Sequence, residues 1–180
     1  FTPRSRHLLA HVGAIIERPD LYNYLSGWDN LRIFAALSKQ NIPNTRLHEV
    51  LDMVGLRGRE KDKVKTYSLG MKQRLGIAVA LIHDPELLIL DEPTNGLDPQ
   101  AIRDFYATLR ELQAGGVTIV ITSHILAELQ ERVDRLAILA AGKLQALGSV
   151  QALREQAQMP LTIELALNQA DTPAAVLALA

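Results

Sequence analysis

Leu87-Leu88-Ile89-Leu90-Asp91-Glu92 is the segment on which the fold turns. Four apolar residues in a row, too few for a helix, read as a strand buried on both faces, and such strands belong to parallel sheets. The two carboxylates stand at its C-terminal end, the edge where open α/β sheets bind their ligands. In nucleotide hydrolases the first acid of such a pair holds Mg²⁺ and a second carboxylate can polarise the attacking water. Alone, the pair is equally well read as a turn at a strand end.

Upstream stands Tyr67-Ser68-Leu69-Gly70-Met71-Lys72-Gln73-Arg74. Ser68 occupies an N-cap position and Gly70 permits close approach to the backbone. The helix start offers free N–H groups and partial positive charge, a natural anion site. A capped amphipathic helix without a ligand fits the same residues. Downstream, Pro93-Thr94-Asn95-Gly96-Leu97-Asp98-Pro99 forms a tight turn into another helix, and an apolar strand from Thr118 to Ile121 leads to Thr122-Ser123-His124. All these elements fall at strand ends or helix starts, in one order that chance does not readily produce.

The remaining chain supplies strands and helices in alternation. Strands are expected at His11–Ile16, Glu86–Leu90, Val117–Ile121, Arg135–Leu139, Lys143–Ala146 and Leu161–Leu165. Helices are expected at Trp28–Lys39 behind a Ser26 cap, Thr45–Met53, Ser68–His83, Pro99–Leu112, Ile125–Gln130 and Val150–Gln156. Arg57 to Lys65 reads as a charged surface loop. The alternation implies an α/β fold with a largely parallel sheet and helices on its faces.

Composition narrows the classes. The 180 residues suffice for one α/β domain with a core, and 48% are hydrophobic. The net charge is −1, so nothing electrostatic points to nucleic acid as a partner. The absence of cysteine excludes disulfides and thiol chemistry. The longest apolar run, Leu75 to Ile82, is far short of the roughly 20 residues of a membrane-spanning helix. Arg4, Arg6 and the run from Leu8 to Ile16 do not form a signal peptide, because His11 interrupts the run and no small-residue cleavage site follows. His7 and His11 have helical metal-ligand spacing but lack a third ligand, and His48 and His83 read as surface or helix-end residues. Four aromatics, Tyr22, Tyr24, Trp28 and Phe34, gather near the first helix and read either as the core of a small helical region or as surface for a partner.

Taken together, these motifs resemble the ATP-binding subunits of ABC transporters over about residues 8 to 157. Tyr67 to Arg74 is similar to the signature motif, Leu87 to Glu92 to Walker B, Asn95 to Asp98 to the D-loop, His124 to the switch histidine, and Val12 to Glu17 to the strand leading into the Q-loop. The resemblance implies a P-loop NTPase-type core with a helical subdomain at about 22–80, and an appended segment starting at 158–180. It implies ATP and Mg²⁺ as ligands, with Glu92 and His124 catalytic, Ser68, Gly70, Asp91, Asp98 and Glu17 contacting the nucleotide, and Asp91 and Glu17 at the metal. It further implies a homodimer of ATP-binding subunits and a membrane permease partner, on the cytoplasmic face of the membrane.

Three departures qualify it. Glu17 replaces the usual Gln, and Ser-Leu-Gly-Met replaces Ser-Gly-Gly-Gln; both resemble the drug- and polysaccharide-export, ABC-2-like branch. No lysine completes the Gly-x₄-Gly-Lys-[Ser/Thr] phosphate loop. In the family that loop lies upstream, so the sequence is expected to be N-terminally truncated and inactive by itself. A non-catalytic half-domain lending its signature helix to a sister ATPase is the competing reading. ABC ATPases of translation or DNA repair resemble tandem or coiled-coil-inserted chains, and nothing of that kind lies between Glu17 and Ser68. The tail from Ala137 to Leu161 also somewhat resembles the ATP-binding subunits of nitrous oxide reductase copper-maturation transporters.

Overall fold

The computed structural model describes residues 8–38 and 40–156. The segment expected at 158–180, with its strand at Leu161–Leu165, lies outside the described residues, as do His7 and Lys39. The chain divides into two compact units between Leu129 and Gln130.

The first unit runs β1 (Val12–Ile16), α1 (Gly27–Leu37), α2 (Asn44–Met53), a 3₁₀ turn (Val64–Thr66), α3 (Leu69–Leu81), β2 (Leu87–Asp91), α4 (Pro99–Ala114), β3 (Thr118–Thr122) and α5 (Leu126–Leu129). The strands form a parallel sheet in the order β1-β2-β3. Parallel neighbours need long crossovers, and α1 to α3 and then α4 provide them. Every expected element of this unit is present, with ends shifted by one or two residues.

Sequence chemistry explains the element ends. Ser26 Oγ accepts a hydrogen bond from Asp29 N at 3.0 Å and caps α1. Asp98 caps α4, its Oδ1 accepting from Gln100 N and Ala101 N at 3.0 and 2.9 Å, and Pro99 follows in the first turn, where its missing N–H costs nothing. After α2, Gly55 takes φ +66, a backbone state that side chains resist.

Helix α3 is the centre of the unit. Leu75, Ile77, Ala78, Ala80 and Leu81 are all buried, so the helix is apolar nearly all round, as a core helix is. It packs against β1, α1, α2 and α4. Two glycines set the closeness. A Cβ on Gly13 would collide with the Ala80 carbonyl oxygen, and one on Gly76 would lie 2.6 Å from Pro19 Cβ. Strand β1 and the loop after it are therefore pressed onto α3.

Three expectations need correction. Strand β2 is not fully buried on both faces: Leu88 and Leu90 are buried, whereas Leu87 and Ile89 are only half-buried. Leu88 and Leu90 belong to the buried core that also holds Leu75 of α3 and Phe105 of α4, and Leu87 and Ile89 lie outside it. The face of α1 also differs. Asn30 is fully buried and Trp28 only partly, its ring stacked on exposed His48 at 4.5 Å between centroids. Lastly, the Arg57–Lys65 loop is solvated in its side chains but not idle. Glu60 O and Asp62 O accept from Trp28 N and Gly27 N at 2.8 and 3.2 Å, and Val64 is buried. Tyr67 closes the loop, its hydroxyl donating to Arg59 O at 2.7 Å. Burial pushes the Tyr67 phenol pKa up, the Asp62 carboxylate adds to this, and Arg59 opposes it.

The second unit holds β4 (Leu136–Ala140) and β5 (Lys143–Gly148), an antiparallel hairpin, and α6 (Val150–Gln156) packed on β5. Ala141 and Gly142 at its turn both have positive φ, 49° and 71°, the twist that two-residue hairpins favour.

The α3–β1 contact yields a stability prediction. Gly13→Ala pushes a methyl into a backbone carbonyl that cannot rotate away, and should destabilise the fold by about 1–3 kcal/mol. The midpoint of urea denaturation measures it, and an unchanged midpoint would contradict the packing described.

Candidate functional site

The site begins with strand register. Ile16 pairs with Asp91, and Asp91 with Thr122, so the three strands stop level. The residues that follow, Glu17, Glu92 and Ser123-His124, therefore emerge along one sheet edge. Glu17 and Glu92 both take left-handed backbone conformations, φ 56° and 45°. Non-glycine residues rarely adopt that state, and such strain clusters at functional sites.

Hydrogen bonds tie the edge together. Thr122 Oγ1 donates to Asp91 Oδ1. The same hydroxyl oxygen accepts from Glu92 N at 3.1 Å, and Thr122 O lies 3.2 Å from that N–H. One threonine thus orients the side chain of the first acid and the backbone of the second. His124 Nδ1 lies 2.9 Å from both carboxylate oxygens of Glu92. An ionised carboxylate only accepts, so Nδ1 carries the proton and Nε2 is left for another partner. Glu92 is 24% exposed in its side chain and His124 68%, so the pair faces outward with the acid recessed.

The second group of candidates sits at helix starts. Ser68 Oγ accepts from Met71 N at 3.2 Å and caps α3. The first N–H groups of a helix have no partner within it, so those of Leu69 and Gly70 fall outside the helical ladder. Gly70 also has a packing reason to be glycine, since a Cβ there would lie 3.3 Å from Ala101 Cβ at the start of α4. Asp98 spends its carboxylate capping α4. The structure thus brings Asp91, Glu92 and His124 into direct contact or one bond apart, and puts Glu17 on the adjoining strand end. Ser68, Gly70 and Asp98 form a separate group.

Two residues given no role by the sequence reading link these parts. Thr122 is one; asking which residue stands opposite Asp91 in a parallel register finds it. Gln73 is the other, a polar residue 1% exposed in an apolar helix, whose Nε2 donates to Pro93 O at 2.9 Å.

The edge suits a hard cation. Mg²⁺ is held by one or two carboxylates together with substrate phosphates and water. Asp91, with one oxygen held by Thr122, and exposed Glu17 on the neighbouring strand fit that donor set.

Known proteins are similar to this chain in sequence and fold. Residues 13–129 match the family model described as "AAA domain, putative AbiEii toxin, Type IV TA system". The chain is 51% identical over 137 residues to the uncharacterized ABC transporter ATP-binding protein YhcH of Bacillus subtilis, covering 76% of this chain and 45% of that protein. It is 44% identical over 140 residues to the lantibiotic transport ATP-binding protein SrtF of Streptococcus pyogenes, covering 78% and 60%. Among solved structures it resembles an ATP-binding subunit of an ABC transporter at 28% identity and a TM-score of 0.72, covering 90% of this chain and 69% of that one. The chain spans about half the length of the curated relatives it matches. The chain belongs to the family of this AAA-domain model, and the proteins it is similar to include ATP-binding proteins of ABC transporters.

Proposed function

We propose that this chain acts within an ATP-hydrolysing subunit that powers an ABC transporter of the export or ABC-2 type. The contact of His124 with both oxygens of Glu92, next to Asp91 at the sheet edge, carries the reading. Glu92 is the group that polarises the attacking water, a role that needs an ionised carboxylate held in one orientation. His124 supplies that orientation through Nδ1–H and turns Nε2 toward the terminal phosphate. Asp91 and Glu17 would hold Mg²⁺, which would neutralise phosphate charge. Thr122 keeps Asp91 and the Glu92 backbone in place.

Ser68 and Gly70 serve the nucleotide on a second copy of the subunit. The capped start of α3 offers N–H groups and positive partial charge, whereas the strand edge offers acids, and a triphosphate with its metal requires both. Asp98, grouped with Ser68 and Gly70, borders the same nucleotide. The dimer docks on a membrane permease at the cytoplasmic face. The helical region at about 22–80 transmits its closure, and Tyr22 and Tyr24, 39% and 67% exposed, offer aromatic surface for that contact. No helix among the described residues is long and apolar enough to cross a membrane. The similarity to the lantibiotic transport ATP-binding protein SrtF supports a lantibiotic-like compound as the class of cargo.

Two expected outcomes test the reading in the assembled ATPase. Glu92→Gln should lower the steady-state hydrolysis rate by about 10²- to 10⁴-fold with ATP still bound, and hydrolysis at the wild-type rate would remove Glu92 as the base. Thr122→Val deletes the hydroxyl and should cost about tenfold in kcat, whereas Thr122→Ser keeps it and should stay within about twofold of wild type. Phosphate release measures both.

A further inference from the structure

Gln73 is at odds with its surroundings. It lies on α3 between Leu69 and Ile77, in a helix whose other buried residues are all apolar or glycine, and is 1% exposed. Burying a primary amide is costly unless both of its ends are paired. Only Nε2 is, to Pro93 O at 2.9 Å, while Oε1 is buried without a hydrogen-bond partner. A methionine would fill the same space without that penalty. What the glutamine adds, and an apolar side chain cannot, is the bond to Pro93.

That bond ends next to Glu92. Glu92 holds φ 45° although it is not glycine, and it precedes proline, which further narrows its choice of backbone states. A conformation of this kind persists only when its neighbours fix it from several sides. On the N-terminal side Thr122 holds the Glu92 N–H. On the C-terminal side Pro93 has a locked φ and no N–H of its own, so its carbonyl is the available handle. Gln73 grips that carbonyl. Two more contacts interlock the start of α3 with the same turn. A Cβ on Gly96 would lie 3.2 Å from Leu69 Cδ2, and one on Gly70 would lie 3.3 Å from Ala101 Cβ.

We propose that Gln73 is a positioning residue: through Pro93 it fixes the aim of the Glu92 carboxylate and couples that aim to the seating of the Ser68-capped helix. A displacement of α3, whose N-terminus would contact one nucleotide, reaches through Gln73 to the carboxylate acting on another. The inference rests on the assignment of Glu92 as the base and adds to it the element that holds the base in register.

The test is a pair of apolar variants of similar size in the assembled ATPase, Gln73→Met and Gln73→Leu. Neither side chain can donate to Pro93 O. We expect kcat to fall about tenfold in both, with KM for ATP and the melting temperature near wild type. A wild-type kcat in either variant overturns the proposal. So does a loss of kcat matched by equal losses in ATP binding and melting temperature, which marks a packing role only. If one variant does not fold, the kcat-against-KM comparison on the other decides. Glu92→Gln measured alongside separates the two layers. If it hydrolyses ATP normally, the function reading fails whatever Gln73 does. If it is inactive and the Gln73 variants are not impaired, this inference alone fails.

Discussion

The candidate site depends on one constraint, the level ending of three parallel strands. With Ile16, Asp91 and Thr122 paired across the sheet, the next residue of each strand leaves the sheet at the same height. A slip of one residue in either ladder would turn alternate side chains to the opposite face and separate Thr122 from Asp91. The Thr122 hydroxyl, bonded to the Asp91 carboxylate and the Glu92 N–H, is both a consequence of this register and a pin that holds it. Neutral hydrogen bonds contribute only about 0.5–1.5 kcal/mol each, more when one partner is charged, so the pin adds alignment rather than bulk stability.

Bulk stability comes from α3, and it reaches the site through contact. The helix is buried nearly all round, and it presses on β1 at Gly13 and on the loop after β1 at Gly76 and Pro19. Glu17 leaves β1 in a left-handed conformation immediately before that loop, and Glu92 leaves β2 in the same manner. Each such residue costs of order 1–3 kcal/mol, and the surrounding packing must over-determine it. The two strained acids flank the turns that α3 touches, one through Pro19 and the other through Gln73 and Pro93. Strain at the sheet edge and rigidity in the core are thus parts of one arrangement.

Charge gives the separation of the two site groups a physical sense. Glu17, Asp91 and Glu92 put three carboxylates along one edge, a surface that attracts a dication and repels phosphate. The start of α3 offers the opposite, N–H groups and partial positive charge with a serine cap. A triphosphate carrying Mg²⁺ needs acids at the metal and donors at the phosphate oxygens. The same chain provides both kinds of surface at different places, and two copies facing each other would place each kind opposite its complement.

How much of this the sequence made legible follows from whether a residue's partner is near in sequence. Caps are local, so Ser26 and Ser68 could be read from the residues that follow them, and each makes the expected bond; Asp98, expected only at the nucleotide, caps α4 by the same local rule. The apolar stripe of Leu47, Val50, Leu51 and Val54 is a periodic pattern, and all four are buried. Acids at a strand end are legible as a motif, although the alternating burial of β2 depends on what packs over each face and cannot be seen in a run of leucines. The illegible residues are polar ones with distant or unusual partners. Asn30 is buried on α1 because its Nδ2 donates to Tyr22 O and Ser26 O at 3.1 and 2.8 Å and its Oδ1 accepts from Tyr22 N at 2.8 Å. Gln73 is buried on α3 because Pro93, twenty residues away, offers a carbonyl. A helical pattern assigns such residues to the solvent face, since burying an amide is unfavourable on average. Where a helix nonetheless buries one, the free energy has to be recovered at the other end of the bond, and at Gln73 that other end is the turn that carries the Glu92 carboxylate.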